Sequence, residues 1–145
     1  MQAPGVVVLR NEMIHETRII PVSSSGVDRP HPSATIRSWM GDSRGHWEGN
    51  TLVVETTNFN DQTQLNNATV SGEARVIERF TRTDANTLEY RVTIEDPKTW
   101  TKPWTIQFPL KRDAEYRLYE YACHEGNYYM YNALTGARAE ERRSQ

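Results

Sequence analysis

Trp39-Met-Gly-Asp-Ser-Arg-Gly-His-Trp-Glu-Gly-Asn-Thr-Leu-Val-Val-Glu-Thr-Thr-Asn-Phe59 is the stretch whose reading decides the fold class. Within it Leu52, Val54 and Thr56 alternate with Val53, Glu55 and Thr57, the period of two expected of a strand with one covered face. Gly49-Asn50 stands just before that run, and both residue types accept positive φ, so the pair predicts a two-residue hairpin. Upstream, Pro32 can open a short helix that Gly41 closes after Met40. Asp42-Ser43-Arg44-Gly45 then reads as a helix-exit loop whose side chains bond to backbone.

Working outward, Val6 to Leu9 and Met13 to Ile20 are rich in β-branched residues, are bounded by Gly5 and Pro21, and are expected to pair as strands. Ser23 to Pro32 is a loop on composition, and Asn60 to Glu73 is polar enough to be a mobile loop or lid. Arg75 to Arg82 and Thr87 to Glu95 form the clearest hairpin, joined by Thr83-Asp-Ala-Asn86, with another strand from Trp104 to Leu110 after the turn at Asp96-Pro97. Tyr116 to His124 reads as the last strand. From Gly126 the spacing of Met130, Leu134 and Ala137 becomes helical, with Ala139 to Gln145 fraying. Seven or so strands in sequential hairpins with one C-terminal helix predict a mainly β chain: an antiparallel meander curling into a barrel or half-barrel, with a two-sheet sandwich as the alternative.

The 145 residues suit a single domain, 1–145. An apolar fraction of 37% lies below the roughly 45–50% of typical globular domains, so the core should be thin, as in a small barrel. Seventeen basic residues against nineteen acidic ones, with no basic run longer than a pair such as Arg142-Arg143, argue against nucleic acid as a partner. No apolar run approaches the ~20 residues of a membrane helix, and Met1-Gln-Ala-Pro shows no signal-peptide pattern. Cys123 stands alone, which rules out an internal disulfide and reads as a small apolar residue.

The inward faces carry the chemistry. Leu88, Tyr90, Val92 and Ile94 share one face of their strand, and Trp104, Ile106, Phe108 and Leu110 share one face of the next. On 75 to 82 the matching set is Val76 and Phe80, and the residue between them at the same phase is Glu78. An unpaired buried carboxylate would cost several kcal/mol, at least about 2, so Glu78 must find a cation or hydrogen-bond donors, or keep its proton. In the segment 13 to 20, Glu16 and Arg18 share a face with Ile14 and Ile20, whereas His15 shares one with Met13 and Ile19. In the last strand Tyr121, Cys123 and Glu125 lie opposite Ala122 and His124.

Glu78, Arg18 or His15, and His124 or Glu125 are therefore the groups able to converge in a concave interior, either as a ligand-facing site or as a Glu–Arg network stitching strands together. His15, His31 and His124 come from three segments without a short-range ligand spacing, so no metal is expected. Ser23-Ser24-Ser25 and Ser43 lack the G-x-S-x-G context of a serine nucleophile. Trp100 and Trp104 flank Pro103 and read as strand-end packing or an aromatic platform, and Tyr128-Tyr-Met-Tyr131 as the seat of the last helix or a pocket mouth. His46 reads as an exposed turn residue.

Gly41 to Phe59, Glu95-Asp-Pro-Lys-Thr-Trp-Thr-Lys-Pro-Trp104 and Tyr119-Glu-Tyr-Ala-Cys-His-Glu-Gly-Asn-Tyr128 together resemble a family of functionally uncharacterised bacterial proteins, many of them exported. The resemblance covers nearly the whole chain and implies a periplasmic or secreted location for such relatives, but no reaction. Its members carry a preceding segment with a signal sequence that Met1-Gln-Ala-Pro does not provide, from which we expect a core completed by a partner. A weaker resemblance, through Gly45-His46-Trp47, is to the calycins, whose lipocalin-like barrels carry a G-x-W motif.

Three functions follow as expectations. In the first, a barrel binds a small molecule that Glu78, Arg18 and Tyr121 orient, with His15, Glu16, Tyr90, Trp104 and Glu125 around it. The second is a lyase, isomerase or hydrolase without a cofactor, using Glu78 or His124 as general base and Arg18 as anion stabiliser. The third is an interaction module that completes its core against another chain, a homo-oligomer included.

Overall fold

The computed structural model describes residues 1–23 and 30–143. Most of the loop read at Ser23 to Pro32, with Ser24 and Ser25, and the last two residues lie outside the described part. The chain is mainly β. Strands β1 (Gln2–Ala3), β2 (Val6–Arg10), β3 (Thr17–Ser23), β4 (Asp42–Glu48) and β5 (Thr51–Thr57) lead to a small hairpin, β6 (Gln64–Leu65) and β7 (Ala68–Thr69). Then follow β8 (Arg75–Arg82), β9 (Thr87–Glu95), β10 (Trp104–Lys111) and one helix, α1 (Tyr129–Arg143). Eight strands form one sheet in the order β1-β2-β3-β4-β5-β8-β9-β10. Its two edges, β1 and β10, do not pair, so the curled sheet is a half-barrel and not a sandwich.

The β4–β5 hairpin turns at Gly49-Asn50, with Glu48 opposite Thr51. Only Gly49 takes the positive φ, 59°. Asn50 instead uses its side chain, whose Nδ2 donates to the Arg82 carbonyl at 3.1 Å and ties this turn to the end of β8. β8, β9 and β10 stand where the alternation places them, with Phe80 opposite Tyr90 and Tyr90 opposite Phe108. β2 and β3 pair as expected, Leu9 facing Arg18.

The meander is interrupted once: β3 and β4 run parallel, paired only through Val22–Gly45 and Ser23–His46. Parallel neighbours require a long crossover, and residues 24–41 are that connection. Gly45 lies where a Cβ would come within 3.1 Å of Ile20 Cγ2 and 3.3 Å of Val22 Cγ2, so the residue at this junction must be small.

Several sequence readings need correction. Pro32 to Met40 is not helical, because Asn58 Nδ2 donates to the carbonyls of Pro32, Ser33 and Ile36, which a helix would have used itself. Consequently Asp42 to Gly45 is part of β4 and not a helix exit. Met13–His15 is a 3₁₀ turn with φ of 50° at Ile14 and 56° at His15, so the strand starts only at Thr17. Tyr116 to His124 is irregular: Asp113 Oδ1 accepts from the amides of Glu115 and Tyr116, turning the chain off the β10 edge. That edge contains Pro109, which cannot donate to a further strand.

Asn60 to Glu73, expected to be loose, is a packed flap. Its turn residues Asn66 and Asn67 have φ of 50° and 62°, the left-handed pair of a tight hairpin. Val70 joins Phe59, Ala74, Val76, Val92 and Ile94 in one apolar cluster, and Asp96 accepts from the Ser71 amide and hydroxyl, both at 2.7 Å. A second cluster unites Val7, Ile20, Val22, Leu52 and Val54. By contrast α1 buries none of its residues, so Tyr128 to Tyr131 do not seat it against the sheet. No helix among the described residues is long and apolar enough to cross a membrane.

Candidate functional site

Glu78 lies at the seam between the two apolar clusters, flanked on its own face by Val76 and Phe80 and only 4% exposed. Its carboxylate is met from two sides. Arg18 donates through Nη1 to Oε2 at 2.6 Å and through Nη2 to Oε1 at 2.8 Å, a two-pronged pair. Tyr90 donates its hydroxyl to Oε1 at 2.8 Å.

Tyr90 reaches Glu78 because β8–β9 register places Phe80 opposite Tyr90 and Val92 opposite Glu78, making Glu78 and Tyr90 diagonal neighbours on one face. Its ring is held between Phe80 at 4.9 Å and Phe108 at 5.3 Å between centroids. Arg18 has no such local reason. β3 and β8 are separated in the sheet by β4 and β5, about 14 Å at ordinary strand spacing. The contact exists because the sheet curls, which brings Arg18 near the start of β3 to Glu78 in the middle of β8 across the concavity.

Electrostatics follow from this geometry. Burial alone would lower the proton affinity of Arg18, but hydrogen bonding to Glu78 and the charge of Glu78 outweigh it, so its pKa lies above the ordinary value. Burial, reinforced by the Glu78 charge and hydrogen bond, pushes the Tyr90 phenol well above its usual pKa of 10.0. Tyr90 therefore serves as a donor throughout the neutral range.

The trio separates two hollows on the concave face, both lined by Asn11, Arg18, Glu78 and Tyr90. The larger, about 530 Å³, is walled by Trp39, Phe59, Trp104 and Ile106 and reaches Glu16 and the flap residue Gln64. The smaller, about 330 Å³, is walled by Leu9, Phe80, Phe108 and Leu110. Trp104 stacks edge-to-face on Trp100 at 5.5 Å, and its Nε1 is sealed off without an acceptor.

Of the residues singled out from the sequence, Arg18 and Tyr90 both bond to Glu78, and Glu16 and Trp104 line the larger hollow beside them. His15, Tyr121, His124 and Glu125 line neither hollow. His15 Nε2 accepts from the Tyr121 amide at 3.0 Å, while Glu12 accepts from the Tyr116 hydroxyl and the Tyr119 amide. These contacts fasten the segment after β10 to the β2–β3 turn. His124 and Glu125 lie in an exposed turn and not on a strand, because no sheet edge receives that segment.

His31 is elsewhere again, on the convex side between Asp42, 2.8 Å from its Nδ1, and Glu55, 3.4 Å from its Nε2. His46 is 3.2 Å from Glu48. The described residues contain no group of three or more His, Cys, Asp or Glu able to hold a metal ion.

Sequence reasoning missed Asn11, Trp39 and Phe59 as lining residues. Asn11 and Trp39 sit in turns, where no periodicity reports a facing direction; the Asn66-Asn67 pair was the one local signal that the flap is a hairpin. In comparisons with known proteins, no family model, curated protein or solved structure matches this chain.

Proposed function

We propose that the half-barrel binds a small molecule in the larger concave hollow, with the Arg18–Glu78–Tyr90 trio as its rigid polar floor. The observation that carries this reading is the combination of a 530 Å³ opening, aromatic and aliphatic walls, and a few convergent polar groups. The same geometry weighs against proton transfer by Glu78. Both of its oxygens already accept hydrogen bonds from Arg18 and Tyr90, which leaves little to offer a substrate proton. Arg18, 21% exposed and with only two of its five N–H groups used on Glu78, retains donors for a ligand acceptor.

The neutral dye Nile red tests the reading. One equivalent should bind saturably with enhanced emission, and Ile106→Arg, which places a charge in the hollow from a 41%-exposed position on β10, should abolish binding while the thermal midpoint stays within a few degrees. Absence of saturable binding, or binding indifferent to Ile106→Arg, rejects it.

A further inference from the structure

The hollow proposed above as the ligand site is unevenly charged, and the unevenness identifies the class of ligand. Three charged side chains line it: Glu16, Arg18 and Glu78. Arg18 and Glu78 neutralise each other through a two-pronged bond, so the guanidinium brings no net positive charge to a ligand. Glu16 is left over. Among the described residues its carboxylate is bonded to the neutral amide of Asn11, Nδ2 to Oε2 at 3.0 Å, and no lysine or arginine lies within ion-pair distance of it, although its charge acts weakly on Arg18.

The same hollow is lined by the rings of Trp39, Phe59, Tyr90 and Trp104. Aromatic faces attract cations, indoles most strongly, and a partly sheltered carboxylate does the same with greater range. An anion entering this hollow would meet a net negative charge, because two carboxylates stand against one guanidinium. We infer that the larger hollow is selective for an organic monocation, an ammonium carried on an aromatic or aliphatic body, with Glu16 as its counter-ion. The body occupies the wall formed by Val92, Trp104 and Ile106, and the ammonium lies toward Glu16 and Trp39.

This inference rests on the proposed binding site, and one set of titrations separates the two. Calorimetry on the full chain with 2-naphthylmethylammonium, 2-naphthalenemethanol and 2-naphthoate compares three bodies of nearly the same shape that differ in charge. The ammonium should bind at least about tenfold more tightly than the alcohol, and the carboxylate most weakly. Glu16→Gln, which keeps an acceptor for Asn11, should bring ammonium and alcohol within about twofold of each other without weakening the alcohol. Trp39→Ala, at a 60%-exposed position, should weaken the ammonium more than the alcohol.

Equal binding of ammonium and alcohol, preferential binding of naphthoate, or a preference that survives Glu16→Gln overturns the inference. Binding of Nile red but not of the ammonium leaves the hollow as a ligand site and removes its cation selectivity. If neither binds, both readings fall.

Discussion

Glu78 and Arg79 are consecutive residues of β8, and each makes an ion pair of 2.6 Å, yet the two pairs belong to different physical regimes. Glu78 points into the concavity, where its side chain is 5% exposed and Arg18 and Tyr90 surround it. Arg79 points to the convex face, where it meets Glu48 with side chains 38% and 49% exposed. Distance is the same and burial is not. In water-rich surroundings the attraction is screened and offset by the lost freedom of two long side chains. In the concavity the larger effect is the cost of leaving one partner behind without the other. Similar neighbours populate the convex side, where Arg75 bridges Glu55 and Glu95 and Arg44 pairs with Asp42.

If burial is the cause of the difference, the largest effect belongs to Arg18→Ala, which strands Glu78 among Val76, Phe80 and Val92. Chemical denaturation should show a loss of about 3–5 kcal/mol. Replacing both partners by apolar residues, Arg18→Met with Glu78→Leu, should recover most of that loss. A double variant no more stable than Arg18→Ala would show that the pair is a net source of stability, which the comparison denies.

Tyr90→Phe should come next. It removes one hydrogen bond to a charged acceptor and keeps the ring between Phe80 and Phe108, for an expected loss of about 1.5–2 kcal/mol. The accompanying pH dependence has a definite sign. A phenol whose folded pKa is raised contributes stability that is fully present below its unfolded value near 10 and is lost as pH rises through the folded value. Ultraviolet titration should therefore show the Tyr90 phenol, and to a lesser degree Tyr116 bonded to Glu12, ionising later in the folded wild type than in the unfolded chain, and Tyr90→Phe should remove the larger of the two displacements. The alkaline decline in stability should be shallower in Tyr90→Phe. Equal profiles would place the hydroxyl in solvent.

Arg79→Gln should have the smallest effect. Its change in thermal midpoint should be barely resolvable at low ionic strength and vanish in 1 M salt, where the screening length falls to about 3 Å. A persistent, salt-independent loss would mean that the convex pair is sheltered in the folded protein in a way its exposure does not indicate.

Much of this architecture was legible along the chain because it is local. Alternation in 52–57, 76–80, 88–94 and 104–110 reports the pleat directly, and each strand displayed the face that the structure buries or turns inward. Gly49-Asn50 and Thr83 to Asn86 marked their turns. Alternation failed at Tyr116 to His124, where large residues occupy both phases and the pattern says nothing about whether an edge is available. It failed at Met13 to His15 for another reason: β-branched and apolar composition does not reveal a left-handed turn. The helix expected at Pro32 to Met40 lost to Asn58, whose side-chain amide comes from a later strand end and claims three carbonyls.

For the candidate site, the sequence alone placed Glu78 in phase with Val76 and Phe80 and Tyr90 on the inward face of the next strand, since both statements need only a period of two, whereas their diagonal contact was set by the β8–β9 register. The identity of its cation was a matter for the tertiary structure. Arg18 and His15 were equal candidates until the strand began at Thr17, and Arg18 meets Glu78 across two intervening strands only because the sheet is curled. Curl, the parallel β3–β4 junction and the absence of a strand after β10 depend on contacts between distant segments, which no local pattern encodes. The hollow with its unbalanced Glu16 is a product of the same long-range closure.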